Sequence, residues 1–252
     1  TPFELQNDFS VAILGLSKFF REDAAVTAQT MQIGNKPCRI YGEPHAEYLL
    51  LQITGEHELQ SMDHEVTVIA QSSWNFLFAA IPVESWNDAL SPWEAPAVWG
   101  KQGFGGKAAD TLSFLTEQVI PTLKQQFHLP ENVKIILGGY SLAGLFALWA
   151  STQTDLFYGI AAASPSGWFP GWMEFEQQHP MQTQHIYLSL GDKEEHTKNA
   201  VMAAVGDNIR TLHSRLAERG ADCTLEWNSG GHFKDADLRT AKAFRWMMEK
   251  HA

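Results

Sequence analysis

Positive charge is scarce in this chain. Eighteen Lys and Arg stand against 29 Asp and Glu in 252 residues, a formal net charge of -11. A surface this acidic argues against nucleic acid or an anionic membrane as the main partner, because both are bound through clustered cations. Acidity favours solubility, and a local field can still receive an anionic small molecule. Cysteine is scarcer still. Cys38 and Cys223 sit in unrelated segments without a CxxC spacing. A thiolate metal site is therefore not expected, and both read as reduced, packed small hydrophobes. No apolar run reaches the roughly 18 residues that a membrane span needs. The opening stretch TPFELQNDFSVAILGLSKFF lacks a basic start, and Asp8 and Lys18 interrupt its apolar part. It does not read as a signal peptide, so the cytoplasm is the expected location. Internal repeats, low-complexity tracts and Gly/Ser linkers are all missing. One domain over residues 1–252 is expected.

What is present is an alternation of apolar strands and amphipathic helices. Residues 47–54, 75–83, 133–139, 157–164, 185–191 and 223–229 read as strands. Residues 107–127, 201–220 and 235–250 carry helical spacing; Pro121 should kink or interrupt the first, and Gly220 should cap the end of the second. Residues 59–73 read as helix despite a β-branched cluster. Such alternation implies an α/β fold with a mainly parallel sheet covered on both faces. Residues 28–44 read as a turn-linked strand pair at an antiparallel edge.

The strongest local signal is Gly138-Gly139-Tyr140-Ser141-Leu142-Ala143-Gly144, lying between a strand and a helix. That is the setting of a nucleophile elbow, where a serine sits in strained backbone at a sharp turn. Its neighbours two positions away must be small, and Gly139 and Ala143 are. Ala143 makes the pattern G-x-S-x-A, one methyl from the usual form. The helix start offers free N–H groups and a positive dipole end, with the Leu142 N–H as the natural oxyanion donor. The competing explanation is that Ser141 merely caps a buried helix.

Partners for the serine lie further along. Gly191-Asp192-Lys193-Glu194-Glu195 follows one strand, and Gly230-Gly231-His232-Phe233 follows the next. The order serine, acid, histidine, each beyond a strand, is the order an α/β-hydrolase requires. His232 would act as general base and then general acid. None of the other nine histidines has this placement. On the residues alone, Asp192 and Glu194 are equal candidates for the acid. A second oxyanion donor is expected from the turn Thr54-Gly55-Glu56-His57, through the N–H of Glu56 or His57.

Two long connections, 84–106 and 165–184, are rich in aromatics. Trp86, Trp93, Trp99 and Trp168, with Tyr140 beside the serine, are the candidate substrate-binding residues. Phe104 and Trp172 would extend the same cleft. Loops of this length usually cover a site, although aromatics can equally plug a core edge.

These segments resemble the esterase branch of the α/β-hydrolases, which includes siderophore, feruloyl-type and S-formylglutathione-type esterases. The likeness rests on GGKAADTLSFLTEQVIPTL, VKIILGGYSLAGLFALWAS, DLFYGIAAASPSGWF, YLSLGDKEE and SGGHF, spanning roughly residues 105–235. It is weaker at 40–56, where TGEHEL lacks the Gly-rich or apolar oxyanion loop of many relatives. The resemblance implies a carboxylic ester hydrolase needing no cofactor or metal. In the Gly-x-x-Glu form of the acid turn it assigns the acid's role to Glu194. The expected substrate is a small-molecule ester, of aryl or siderophore type. Acyl transfer or thioester cleavage would use the same three residues, and a non-catalytic binding module would keep only the fold. Oligomeric state is not readable, although FSVAILGLSKFF is apolar enough to pack on the domain or a second subunit.

Overall fold

The computed structural model describes residues 27–72 and 75–250. The apolar N-terminal stretch lies outside the described residues. The chain opens with strands β1 (Gln29–Ile33) and β2 (Lys36–Gly42), a hairpin, and then β3 (Tyr48–Thr54). Helix α1 (Met62–Ile69) leads to β4 (Phe76–Pro82) and the short α2 (Trp86–Leu90). Two-residue strands β5 (Glu94–Ala95) and β6 (Phe104–Gly105) pair inside the first long connection. Helices α3 (Ala108–Phe114) and α4 (Ile120–Gln126) precede β7 (Lys134–Tyr140), α5 (Leu142–Gln153) and β8 (Gly159–Ala163). After α6 (Trp172–Gln178) come β9 (His185–Gly191), α7 (Ala200–Ala203), α8 (Val205–Glu218), β10 (Asp222–Asn228) and α9 (Ala236–Lys250).

Eight strands form one sheet in the order β1-β2-β4-β3-β7-β8-β9-β10. The last six of that order run parallel, and the first two form the antiparallel edge expected from residues 28–44. Period-two alternation divides the strand residues between two cores. Leu49, Leu51, Ile53, Leu137 and Leu188 pack with α5 and α8 on one face. Tyr48, Leu50, Ile136, Ala161 and Tyr187 pack with α1 and α9 on the other. Each large side chain removed from water contributes about 1.5–3 kcal/mol, which is why strands covered on both faces read as continuous apolar runs.

Two helical expectations change in detail. The helix over 107–127 is continuous but widens into a π-turn at Leu115–Val119, just before Pro121. Pro121 has no N–H to give and its ring crowds the carbonyl four residues back, and a π-turn accommodates both. The helix over 201–220 divides at Ala204, with Asn199 accepting from the N–H groups of Val201 and Met202 to cap α7. Gly220 has a φ of 82°, the left-handed end-cap conformation. Cys38 on β2 and Cys223 on β10 are free thiols, separated by most of the sheet's width. No helix among the described residues is long and apolar enough to cross a membrane.

Candidate functional site

Parallel strands place their C-terminal ends along one edge of the sheet, and ligands of open α/β sheets gather there. Ser141 follows β7, Glu194 follows β9 and His232 follows β10. Ser141 has φ 57° and ψ -120°, a conformation that a residue with a side chain adopts only under constraint. The cause is local. A Cβ on Gly139 would come within 2.6 Å of the Ala143 Cβ, so the chain reverses only because one of the two is glycine. The Ser141 N–H donates to the Ala163 carbonyl, and its own carbonyl accepts from Leu145 and Ser166. Its side chain makes no capping bond to α5. Helix capping thus does not occupy the hydroxyl, which lies 2.9 Å from His232 Nε2.

His232 Nδ1 lies 2.7 Å from Glu194 Oε2. With the hydrogen on Nδ1, the ring donates to the carboxylate and leaves Nε2 to accept from Ser141. The other carboxylate oxygen, Oε1, accepts from the Gly191 N–H at 2.7 Å, the Ser164 hydroxyl at 2.8 Å and Arg239 Nη1 at 3.1 Å. Burial alone would raise the Glu194 pKa. Bonds from His232, Gly191 and Ser164 outweigh it and hold the carboxyl below its ordinary value. Asp192 has a different task. Its carboxylate accepts from the Gly230 N–H at 2.7 Å, which ties the acid turn to the histidine loop.

Two residues that the sequence did not single out support this chain of bonds. Arg239, 3% exposed on α9, touches Glu194, the Tyr140 and Ser164 hydroxyls, and the carbonyls of Ser229 and Gly231. An arginine in an amphipathic helix reads as a surface residue, so only its burial gives it away. Ser164 has φ 42°, a second strained position, and it precedes the proline of the Ser-Pro-Ser segment. Ser166 Oγ is 3.4 Å from Ser141 Oγ.

The candidate substrate-binding residues scatter. Tyr140 is 6% exposed, and its hydroxyl donates to the His232 carbonyl at 2.6 Å and accepts from Arg239. Its ring lies beside the imidazole, with centroids 5.2 Å apart. Trp93 lies between the two aromatic connections. Its indole N–H donates to the Pro170 carbonyl and its ring packs on Phe169 and Phe175, joining the two aromatic connections. Trp99 is 63% exposed. Phe104 and Trp172 are buried, so the aromatics of these connections largely extend the core. Trp168 alone of the four tryptophans lines the cavity that His232 and Glu194 share, of about 230 Å³. Trp86 and Glu56 line a separate cavity with His57. In that turn the Gly55 N–H is committed to Glu58 Oε2 at 2.8 Å, so a donor from it must be Glu56 or His57. Leu142 begins α5, where backbone N–H groups have no partner within the helix. Among the described residues, no group of three or more His, Cys, Asp or Glu is arranged to hold a metal ion.

A family model described as "Putative esterase" matches residues 77–236. Solved structures superpose on the chain at low identity. An IroE-like serine hydrolase from Shewanella oneidensis matches with a TM-score of 0.73 and 16% identity, over 90% of this chain and 81% of that one. A siderophore hydrolase, EstA, from Aspergillus nidulans matches with a TM-score of 0.68 and 18% identity, over 90% of this chain and 95% of that one. The enterobactin esterase of Shigella flexneri, in the presence of enterobactin, matches with a TM-score of 0.68 and 14% identity. That match covers 89% of this chain and 59% of the other. No curated protein sequence matches the chain.

Proposed function

The chain belongs to this esterase family and has the α/β-hydrolase fold, and on that premise we propose that it hydrolyses carboxylic esters through an acyl intermediate on Ser141. The observation that carries the reading is the unbroken sequence of bonds from Ser141 Oγ through the His232 ring to Glu194. Ser141 attacks the ester carbonyl as His232 Nε2 takes its proton. The Leu142 N–H and a loop N–H at Glu56 meet the developing oxyanion. His232 then delivers the proton to the leaving alkoxide, and water repeats the cycle on the acyl-enzyme. Glu194, ionised and held by Arg239, Ser164 and Gly191, keeps Nδ1 protonated and steadies the imidazolium.

The substrate class proposed is an aryl or siderophore-type ester. Its support is the half-buried Trp168 beside His232, together with the siderophore hydrolases among the superposed structures. A fluorophosphonate probe tests the chemistry. Wild type should be labelled on Ser141, and Ser141→Ala should lose the label and at least about a thousandfold in kcat. Labelling that survives Ser141→Ala would sink the reading.

A further inference from the structure

Beside His232 lies a cavity with an apolar floor and one cation at its mouth. Trp168, Met202 and Val205 form the floor. Phe233 and Lys193 stand at the rim, and Phe233 as a residue is 96% exposed. The Phe233 ring stands edge-on to the imidazole, with centroids 5.3 Å apart, and so forms an aromatic side to the mouth. Lys193 is the more informative residue. In a chain of net charge -11 it is a free cation in the cavity nearest the imidazole. The neighbouring carboxylates are already engaged. Glu194 is held by His232 and Arg239, Glu195 by Arg210 at 2.8 Å, and Asp192 by the Gly230 N–H. Lys193 enters none of the ion pairs among the described residues. Its backbone is pinned as well, since its N–H donates to the Gly230 carbonyl at 3.1 Å. The ammonium therefore projects from a fixed platform shared with the histidine loop.

The side of the reaction follows from the proton's path. His232 must reach the leaving oxygen, so the alcohol portion of the ester occupies the histidine side of Ser141. The geometry points to an ester whose alcohol portion carries an aromatic or apolar body and an anionic group such as a carboxylate, with Lys193 selecting that charge. This rests on the proposed hydrolysis at Ser141 and specifies its substrate. The apolar body sits on Trp168 and Met202, and the anion reaches the rim. At the rim water and salt partly screen the attraction, so its effect on selectivity is modest and salt-dependent.

Steady-state kinetics of the whole chain test this with a matched pair of probes, the acetate esters of 4-hydroxybenzoate and of 4-hydroxybenzamide. kcat/KM is measured on both for wild type, Lys193→Gln and Lys193→Glu. Dividing each variant's carboxylate-to-carboxamide ratio by that of wild type cancels the intrinsic difference between the leaving groups. The ratio should fall about fivefold in Lys193→Gln and further in Lys193→Glu, and added salt should compress the wild-type ratio. The change should lie mainly in KM. A ratio unmoved by both substitutions overturns the selectivity and leaves hydrolysis standing. No turnover of either ester by wild type, with no probe labelling of Ser141, overturns hydrolysis and the selectivity with it.

Discussion

Tyr140 neighbours Ser141 in the chain and packs beside the His232 ring in the fold. Being adjacent to Ser141 suggested a substrate contact, yet its ring is buried and its hydroxyl is spent on the His232 carbonyl and Arg239. Removing that hydroxyl should disturb the imidazole rather than binding. Tyr140→Phe is expected to lower kcat about fivefold with KM within about twofold, because one net hydrogen bond of about 1 kcal/mol is lost from the histidine's support. Steady-state kinetics check it. A raised KM with unchanged kcat would return Tyr140 to the cleft. The acid illustrates the same limit. Asp192 and Glu194 lie two residues apart at one strand end, and both are carboxylates. The turn after β9 faces Glu194 toward His232 and leaves Asp192 bonded to Gly230. No one-dimensional pattern among these residues distinguishes them; the family resemblance was needed.

At the scale of elements, the turn from β7 into α5 depends on one missing methyl. Gly139 and Ala143 face each other so closely that a Cβ on Gly139 would meet the Ala143 Cβ at 2.6 Å and its backbone carbon at 2.9 Å. Gly139→Ala should therefore lose about 2–4 kcal/mol or fail to fold, as overpacking against backbone does. Ala143→Gly removes the methyl on the other side. It should cost only about 0.5–1 kcal/mol of helix propensity and keep activity within about twofold. Urea titration of both variants separates them, and equal losses would show that the contact does not govern the turn. Helix periodicity was legible over 107–127 and 201–220, but the π-turn and the break at Ala204 were not. The first answers a proline's missing donor. Ahead of the second, Asn199 caps the start of α7 and its side-chain amide donates to the Val98 carbonyl.

For the whole molecule, buried carboxyls of opposite behaviour shape stability against pH. Glu194 is held below the ordinary carboxylate value, so its contribution is present above the unfolded pKa and is lost as pH falls through its folded pKa. Glu58 is the reverse. Burial pushes it up to about 7, even though the Gly55 N–H bond lowers it, and nearby Glu65 is raised well above 4.5 by burial and by Glu58. Both contribute most below the ordinary carboxylate value; the contribution of Glu58 is lost as pH rises through about 7, and that of Glu65 as pH rises through its own raised value. Calorimetry should show a Tm that falls from pH 5 to pH 8. Glu58→Gln keeps an acceptor for Gly55 without a charge to bury, and it should flatten that fall. An unchanged slope would remove Glu58 as its source. The alternating periods and the continuous apolar runs determined the α/β fold from sequence alone, because burial on two faces leaves a pattern that needs no knowledge of partners. The small residues around Ser141 were legible for the same reason, since steric limits at a turn act over a few neighbours. The tertiary structure alone decided that Arg239 and Tyr140 sit beneath the imidazole and that Lys193 and Trp168 share its cavity. Those contacts join residues far apart in the chain, and only the register of β7, β9 and β10 brings their ends to one edge.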